Sequence, residues 1–137
     1  MKPGSDEYLQ HMRDLYRWLN RKWEPVILTV LARKPMRYTE LRDTIQKMNV
    51  GDEWYRRPGS KLTDKVLGET LSAMQDDGLV LHQRDTSTIP PAATYALTAT
   101  ARQLLNALRP AVEWVADHHD LIEKAKTNRR THKTEFS

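Results

Sequence analysis

The first third of the chain carries apolar residues at helical spacing. Between residues 5 and 20, large apolar side chains recur every three or four positions with charged residues between them, which predicts an amphipathic helix. Ser5 suits its N-cap, because a serine hydroxyl can accept a hydrogen bond from a free amide in the first turn. A second helix is predicted from Pro25, a residue suited to the first helical position, to Arg33, just before Pro35.

The middle of the chain predicts two short helices separated by a loop. A third helix opens at Tyr38, with Thr39 as its predicted N-cap. Residues 46–61 contain two glycines and one proline and show no sustained period, so they are predicted to be mainly a loop. Periodicity then resumes in a helix that we expect Thr63 to cap and Gly78 to end.

The remainder of the chain predicts a hairpin and a long helix. Residues 79–84 and 94–97 suit two strands joined by a turn rich in hydroxyl and proline residues. Thr98 is the expected cap of the last helix, which Pro110 should bend or divide because proline has no amide hydrogen. The final residues, 127–137, are polar and basic and are predicted to form a disordered tail.

Taken in order, these elements indicate the fold class. Four helices, a two-stranded ribbon and a last helix predict a mainly α protein with a small β-hairpin wing, which is a winged helix-turn-helix. A length of 137 residues suits one compact domain. We expect that domain to span residues 1–126.

Composition and charge narrow the function classes. The formal net charge is +4 and the pI is about 9.4, a basic balance that fits a nucleic-acid partner without requiring one. With no cysteine, disulfides, thiolate metal sites and thiol-based sensing are excluded. The charged N-terminal segment does not suit a secretory signal peptide, and the longest apolar run, residues 26–32, is too short to cross a membrane. We therefore expect a soluble, cytoplasmic protein.

No residue pattern indicates an enzyme. The sequence contains no glycine-rich phosphate loop, nucleophile elbow or HExxH pattern. His118 and His119 lie between two aspartates, but adjacent residues on a helix point about 100° apart, so the two rings do not converge on a metal. We expect no catalytic residues, no cofactor and no metal site.

Six segments follow one another in an order that is typical of a known family. They are Lys22-Trp23, PVILTVL (25–31), YTELRDTI (38–45), LTDKVLGETLSAMQDDGLV (62–80), Pro90-Pro91 and YALT (95–98). The chain resembles the HxlR family of winged helix-turn-helix regulators, within the broader MarR-like group. The resemblance implies a dimer that binds promoter DNA, usually as a repressor, and that in some members responds to small molecules or oxidants.

Three departures from the family pattern affect what the resemblance implies. The family usually has only a few residues between its two helix-turn-helix helices, whereas residues 46–61 form an insertion here. The wing commonly carries an arginine just after the two prolines, and this chain has Ala92. Some members sense oxidants through an N-terminal cysteine, which is absent here. The first two departures leave the detailed DNA contacts undetermined by the resemblance, and the third excludes thiol sensing.

The helix after Thr63 is the candidate recognition helix. Its apolar stripe should face the core, so the polar residues on its other face should reach base edges in the major groove. These residues are Asp64, Lys65, Gly68, Glu69 and Ser72. Further DNA-binding candidates are Thr39, Arg84 in the wing, and Arg56, Arg57 and Lys61 in the insertion. The alternative for each is an ordinary solvated position.

The terminal helices carry more large apolar side chains than one winged domain needs. We expect them to form a homodimer interface, the alternative being a completed monomeric core. The candidate interface residues are Tyr8, Met12, Leu15, Leu19, Leu104, Leu108, Val112 and Val115. A small aromatic or hydrophobic ligand could bind among the tryptophans, each of which could equally be a core residue. These are Trp18, Trp23, Trp54 and Trp114.

The sequence thus predicts a DNA-binding transcriptional regulator. We expect a repressor that binds double-stranded palindromic promoter DNA as a homodimer and that a small-molecule ligand releases. Two alternatives keep the same fold: a winged-helix protein-interaction module, and a small-ligand-binding protein that does not bind DNA. Acidic residues near the recognition helix and Ala92 in the wing keep these alternatives open.

Overall fold

The N-terminal helices form where the apolar spacing predicts them. The computed structural model describes residues 1–48, 62–90 and 92–136, with side chains up to residue 132. Helix α1 spans Asp6–Leu19 and helix α2 spans Glu24–Arg33. The Ser5 side chain accepts a hydrogen bond from the Tyr8 amide at 3.1 Å, which confirms the predicted N-cap.

Helix α2 is the buried centre of the first of two compact units, Met1–Arg102 and Gln103–Ser137. Five of its apolar residues are 5% exposed or less, while Thr29, Ala32 and Arg33 form an exposed side. The five buried residues are Val26, Ile27, Leu28, Val30 and Leu31. Helix α3, Tyr38–Lys47, packs against α2 and buries Leu41 and Ile45.

The recognition-helix candidate is α4, Asp64–Asp76, and both of its predicted ends are confirmed. The Thr63 side chain accepts a hydrogen bond from the Val66 amide at 3.2 Å. At the other end Gly78 adopts a φ of 76°, the left-handed conformation that glycine takes without steric cost. The Leu79 amide then bonds the Met74 carbonyl at 2.9 Å, which closes the helix.

A three-stranded antiparallel sheet follows, in the order β1-β3-β2. Strand β2 is Val80–Asp85 and β3 is Ala92–Leu97, which together form the predicted wing. Strand β1 consists of Met36–Arg37 alone, and it pairs Met36 with Tyr95. The sequence did not predict β1, because two residues are too short to show a strand period.

Two further helices complete the described chain. Helix α5, Ala99–Asp117, starts at Thr98, whose side chain accepts a hydrogen bond from the Ala101 amide at 3.0 Å, so the predicted cap is confirmed. Helix α6 spans His119–Phe136.

Three expectations differ from the structure. Thr39 is not an N-cap: Arg37 holds that position, because β1 leads directly into α3 and leaves Thr39 inside the first turn. Pro110 does not divide the last helix: α5 continues through it, and the division between α5 and α6 falls at His118. A bend at Pro110 stays a prediction. The predicted disordered tail is helical up to Phe136 as the end of α6.

Candidate nucleic-acid interface

The outward face of α4 is polar and exposed. Its inward face buries Leu67, Leu71 and Met74. The helical period therefore turns the intervening polar positions outward. The structure places all five candidate recognition residues at exposed positions: Asp64, Lys65, Gly68, Glu69 and Ser72. Whether they contact bases stays a prediction.

Gly68 leaves a gap in this face that the fold itself does not require. A Cβ built on Gly68 meets no described atom within 4 Å apart from its two chain neighbours and the backbone of its own helix. Glycine inside a helix is nonetheless less favourable than alanine by about 1 kcal/mol. The packing of the described residues therefore gives no reason for glycine at this position.

Asp64 is held at the N-terminal end of α4 by two residues of α3. The Tyr38 hydroxyl donates to Asp64 Oδ1 at 3.0 Å and approaches its backbone oxygen at 3.2 Å. Arg42 Nη1 donates to the same Oδ1 at 3.3 Å. Arg42 also bonds its neighbour Asp43 through Nε and Nη2, each at 3.4 Å. One carboxylate thus joins the two helices of the helix-turn-helix.

The local environment changes the pKa of both α3 residues. Burial, and then the hydrogen bond to Asp64, raise the pKa of Tyr38 above its ordinary value. The hydrogen bond and the charge of Asp64 raise the pKa of Arg42. Sequence reasoning missed both residues as part of the interface. In the sequence, only the Tyr38 hydroxyl and the charge of Arg42 one turn later point to polar contacts here. Neither feature indicates a partner on another helix.

Two arginines lie at the edge of an open groove of about 640 Å³ that β1 forms with the wing, here called the wing groove. Arg84, a predicted candidate, lies on β2, and Arg37 lies on β1 across the sheet. Arg37 and Gln83 both stand opposite Thr94 of β3. The groove is lined by Arg37, Gln83, Arg84, Asp85, Ala92 and Thr94. Arg37 was missed from sequence because β1 was missed.

Asp85 closes the tip side of this groove and is held in its ionised form. Its Oδ1 accepts hydrogen bonds from the Ser87 hydroxyl at 2.6 Å and the Ser87 amide at 2.9 Å. These bonds, helped by the charge of Arg37 and opposed by desolvation, hold the pKa of Asp85 below its usual range. The wing tip therefore keeps one negative charge beside the two arginines.

The other predicted DNA contacts divide into two groups. Thr39 is exposed on the first turn of α3. Arg56, Arg57 and Lys61 lie outside the described residues, and their role stays a prediction.

The predicted dimer residues of α1 form an apolar face. No residue of α1 is buried. Its large apolar side chains are between 36% and 65% exposed: Tyr8, Leu9, Met12, Leu15, Tyr16 and Trp18. Leu19, at the end of the helix, is partly buried.

The helices of the second unit carry apolar side chains as well. Val112, Trp114 and Val115 of α5 and Leu121 of α6 are each between 44% and 64% exposed. Leu104 and Leu108 are partly buried.

The four tryptophans lie in different surroundings. Trp23 is 6% exposed within the core of the first unit, whereas Trp18 is 37% exposed on α1. Trp114, in the second unit, stacks on His118 at 4.1 Å between ring centroids. Trp54 lies outside the described residues. The shared ligand site therefore stays a prediction.

Neither a metal cluster nor a membrane span is found in the described part of the chain. Among residues 1–48, 62–90 and 92–132, no three histidine, aspartate or glutamate side chains converge on a point where a metal could bind. No helix there is both long and apolar enough to cross a bilayer.

The match to a family model decides the identity of the fold and its class of function. The model of the HxlR-like helix-turn-helix family matches residues 54–123, just over half of the chain. This chain belongs to the HxlR-like helix-turn-helix family. The HxlR-like protein is accordingly a transcriptional regulator of the helix-turn-helix type.

Individual relatives agree with this assignment. A protein of Methanothermobacter thermautotrophicus, described as an HTH-type transcriptional regulator, is 24% identical over 111 residues, which are 81% of this chain and 73% of the relative. A MarR-family regulator from Enterococcus faecalis V583 superposes with a TM-score of 0.66 at 22% identity, covering 92% of this chain and 99% of the other.

A second solved structure is the reduced form of the regulator YodB from B. subtilis. It has a TM-score of 0.62 at 21% identity and covers 84% of this chain and 92% of YodB. The likeness of the two solved structures establishes the winged-helix fold of the HxlR-like protein.

Proposed function

We propose that the HxlR-like protein is a homodimeric repressor that binds palindromic promoter DNA through α4. The observation that carries this proposal is the outward face of α4, where exposed polar residues surround the unfilled space at Gly68. A helix in the major groove presents such residues to base edges, and a missing side chain lets the backbone approach the groove. Lys65 supplies a donor there, and Ser72 supplies a hydroxyl.

The wing groove supports the same proposal through charge. Arg37 and Arg84 are exposed and border one groove on the sheet. Guanidinium groups attract phosphates and narrow minor grooves, and these contacts give affinity without base recognition. Arg37 on β1 takes over part of the role that an arginine at position 92 would otherwise have.

The apolar face of α1 supports a dimer. A contiguous run of half-exposed aromatic and aliphatic side chains is unusual on a monomer and typical of an interface. A second copy of this chain is the natural occupant, because a two-fold dimer places two α4 helices on two half-sites of a palindrome.

Release by a non-covalent small molecule is the regulatory part of the proposal. YodB is described in a reduced form, but a chain without cysteine cannot respond through thiol oxidation. The half-exposed Trp18 on α1 offers an aromatic surface to a hydrophobic ligand. A ligand of this kind should lower DNA affinity and quench tryptophan emission together. A ligand screen in which no compound changes either signal contradicts this part.

The experiment that tests the recognition surface is Gly68→Ala. Apart from its two chain neighbours and the backbone of its own helix, the added methyl group meets no described atom within 4 Å, so we expect the free energy of unfolding to rise by about 0.5–1 kcal/mol. Affinity for specific DNA should fall at least tenfold, because the methyl group occupies space that the groove wall needs. Stability is measured by urea denaturation and affinity by fluorescence anisotropy.

The matched control is Gln75→Ala, an exposed position on the last turn of the same helix. We expect it to leave DNA affinity unchanged. A Gly68→Ala protein that is more stable and binds specific DNA as tightly as the wild type contradicts the placement of α4 in the groove.

A further inference from the structure

The N-terminal turn of α4 is tied to α3 by polar contacts as well as by the core. Asp64 is the first residue of α4, Tyr38 is the first residue of α3, and Arg42 follows Tyr38 by one helical turn. One oxygen of the Asp64 carboxylate accepts hydrogen bonds from both α3 residues, at 3.0 Å and 3.3 Å. Buried Leu62 and Leu67 hold the same turn against the core.

This link joins elements that are far apart along the chain. Helix α3 ends at Lys47 and α4 begins at Asp64. Apolar contacts restrict the distance of α4 from the core but are not directional, whereas hydrogen bonds depend on both distance and angle. The polar contacts therefore add a directional restraint at the N-terminal turn to the rotation that the buried face of α4 sets.

We propose that Tyr38, Arg42 and Asp64 form a clamp that sets the orientation in which α4 presents its N-terminal turn to DNA. The proposal rests on the proposed function and assigns Asp64 a different task within it. Asp64 is a positioning residue that acts on specificity through α3 and does not contact a base itself. Tyr38 and Arg42 become specificity-determining residues although neither lies on the recognition helix.

Charge supports this assignment. A free carboxylate at the leading edge of a DNA-binding helix is repelled by the phosphate backbone. Arg42 offsets that charge through its contact with Asp64. The base-contacting task then falls to residues further along the exposed face, of which Lys65 is the nearest.

A double-mutant cycle on Arg42→Gln and Asp64→Asn tests the clamp. The measured quantity is the ratio of affinities for a specific and a scrambled duplex at one salt concentration, because this ratio cancels the general loss of charge. We expect each single variant to lower the ratio about three- to tenfold, the effect of one lost charge-assisted hydrogen bond. The double variant should lower the ratio no further than the single variant that has the larger effect, because both changes remove the same contact.

Two further variants sharpen the test. Tyr38→Phe removes only the hydroxyl and should lower the ratio without changing the salt slope. Asp43→Asn is the matched control: Asp43 also bonds Arg42, at 3.4 Å, but it lies on α3, the same helix as Arg42. It should leave the ratio unchanged. Melting temperatures should stay close to the wild-type value throughout, because exposed ion pairs contribute little to stability.

The outcomes separate this clamp from the proposed function. If the wild type prefers its specific duplex but the two effects add, the clamp is wrong and DNA recognition stands. If Asp64→Asn changes the preference at a single base pair and Arg42→Gln does not, Asp64 contacts that base and the clamp is again wrong. If the wild type shows no preference between the duplexes, both the clamp and the proposed function are wrong.

Discussion

Glu24 is the one fully buried charged residue among those that the structure describes. It occupies the first position of α2, and neither carboxylate oxygen accepts a hydrogen bond from a described residue. Arg21 Nε lies 3.8 Å away, while Arg21 Nη1 bonds Asp77 at 3.3 Å. Burial raises the pKa of Glu24, the charge of Arg21 opposes the rise, and Asp77 adds to it.

The direction of this pKa shift determines how stability depends on pH. The folded protein holds the Glu24 proton more tightly than the unfolded chain does, so stability is lost as pH rises above the ordinary glutamate value of 4.5. Glu24→Gln removes this titration. At neutral pH we expect the free energy of unfolding of the variant to be about 1 kcal/mol higher than that of the wild type, within the cost range of a buried unsatisfied group. Above pH 4.5, its stability should depend less on pH than that of the wild type.

Urea denaturation between pH 4 and pH 8 measures this effect. The exposed Glu113 on α5 provides the control, because Glu113→Gln should leave the profile unchanged. A Glu24→Gln protein that is less stable than the wild type at neutral pH would show that the carboxylate is paired in the folded state, contrary to this account.

At the scale of elements, the sequence predicted what local chemistry determines. Ser5, Thr63 and Thr98 are confirmed caps because each precedes an amphipathic run and bonds an amide three residues on. Thr39 has the same chemistry but is not a cap, since strand pairing of Met36 and Arg37 starts α3 earlier. That pairing depends on β3, more than fifty residues away, and no local pattern reveals it.

The residues of the candidate site also divide into those that local sequence predicts and those that only the fold brings together. The exposed face of α4 could be derived from helical period alone, because three buried residues fix which side faces outward. The Tyr38–Asp64 and Arg42–Asp64 contacts could not, because they join residues more than twenty positions apart. Arg37 could not be assigned to the wing groove from the sequence, because the sequence did not predict β1.

The wing groove should contribute affinity for DNA in general and little specificity for one sequence. If Arg37 and Arg84 each contact a phosphate, alanine at either position should weaken binding to specific and scrambled duplexes about equally. Each change should also reduce the slope of log affinity against log salt by about 1, and the double variant by about 2. Anisotropy titrations at several salt concentrations give these slopes.

The comparison variant for the wing is Arg33→Ala, an exposed arginine at the end of α2 that lies outside the groove. We expect it to leave the slope unchanged. Equal slopes for the wild type and the Arg37→Ala, Arg84→Ala double variant would remove the wing groove from the DNA interface.

At the scale of the whole molecule, the apolar face of α1 predicts an assembly of two copies. Met12 lies in this face and is 49% exposed in the single chain, so a charge there costs the monomer little. Met12→Glu should shift the protein from dimer to monomer in analytical ultracentrifugation. Gln10→Glu adds the same charge at an exposed position of the same helix outside this apolar set and should stay dimeric. A wild-type protein that sediments as a monomer contradicts the assembly.

The central claim is that this HxlR-like protein recognises a palindromic DNA sequence as a dimer. The most direct measurement is fluorescence anisotropy with duplexes from the region upstream of its own gene, against scrambled duplexes at the same salt. The account predicts binding at least a thousandfold tighter to one upstream duplex, a steep fall with salt, and two half-sites whose centres are about one helical turn apart or a multiple of it. Equal, weak binding to every duplex would contradict it and favour a protein partner for the winged fold.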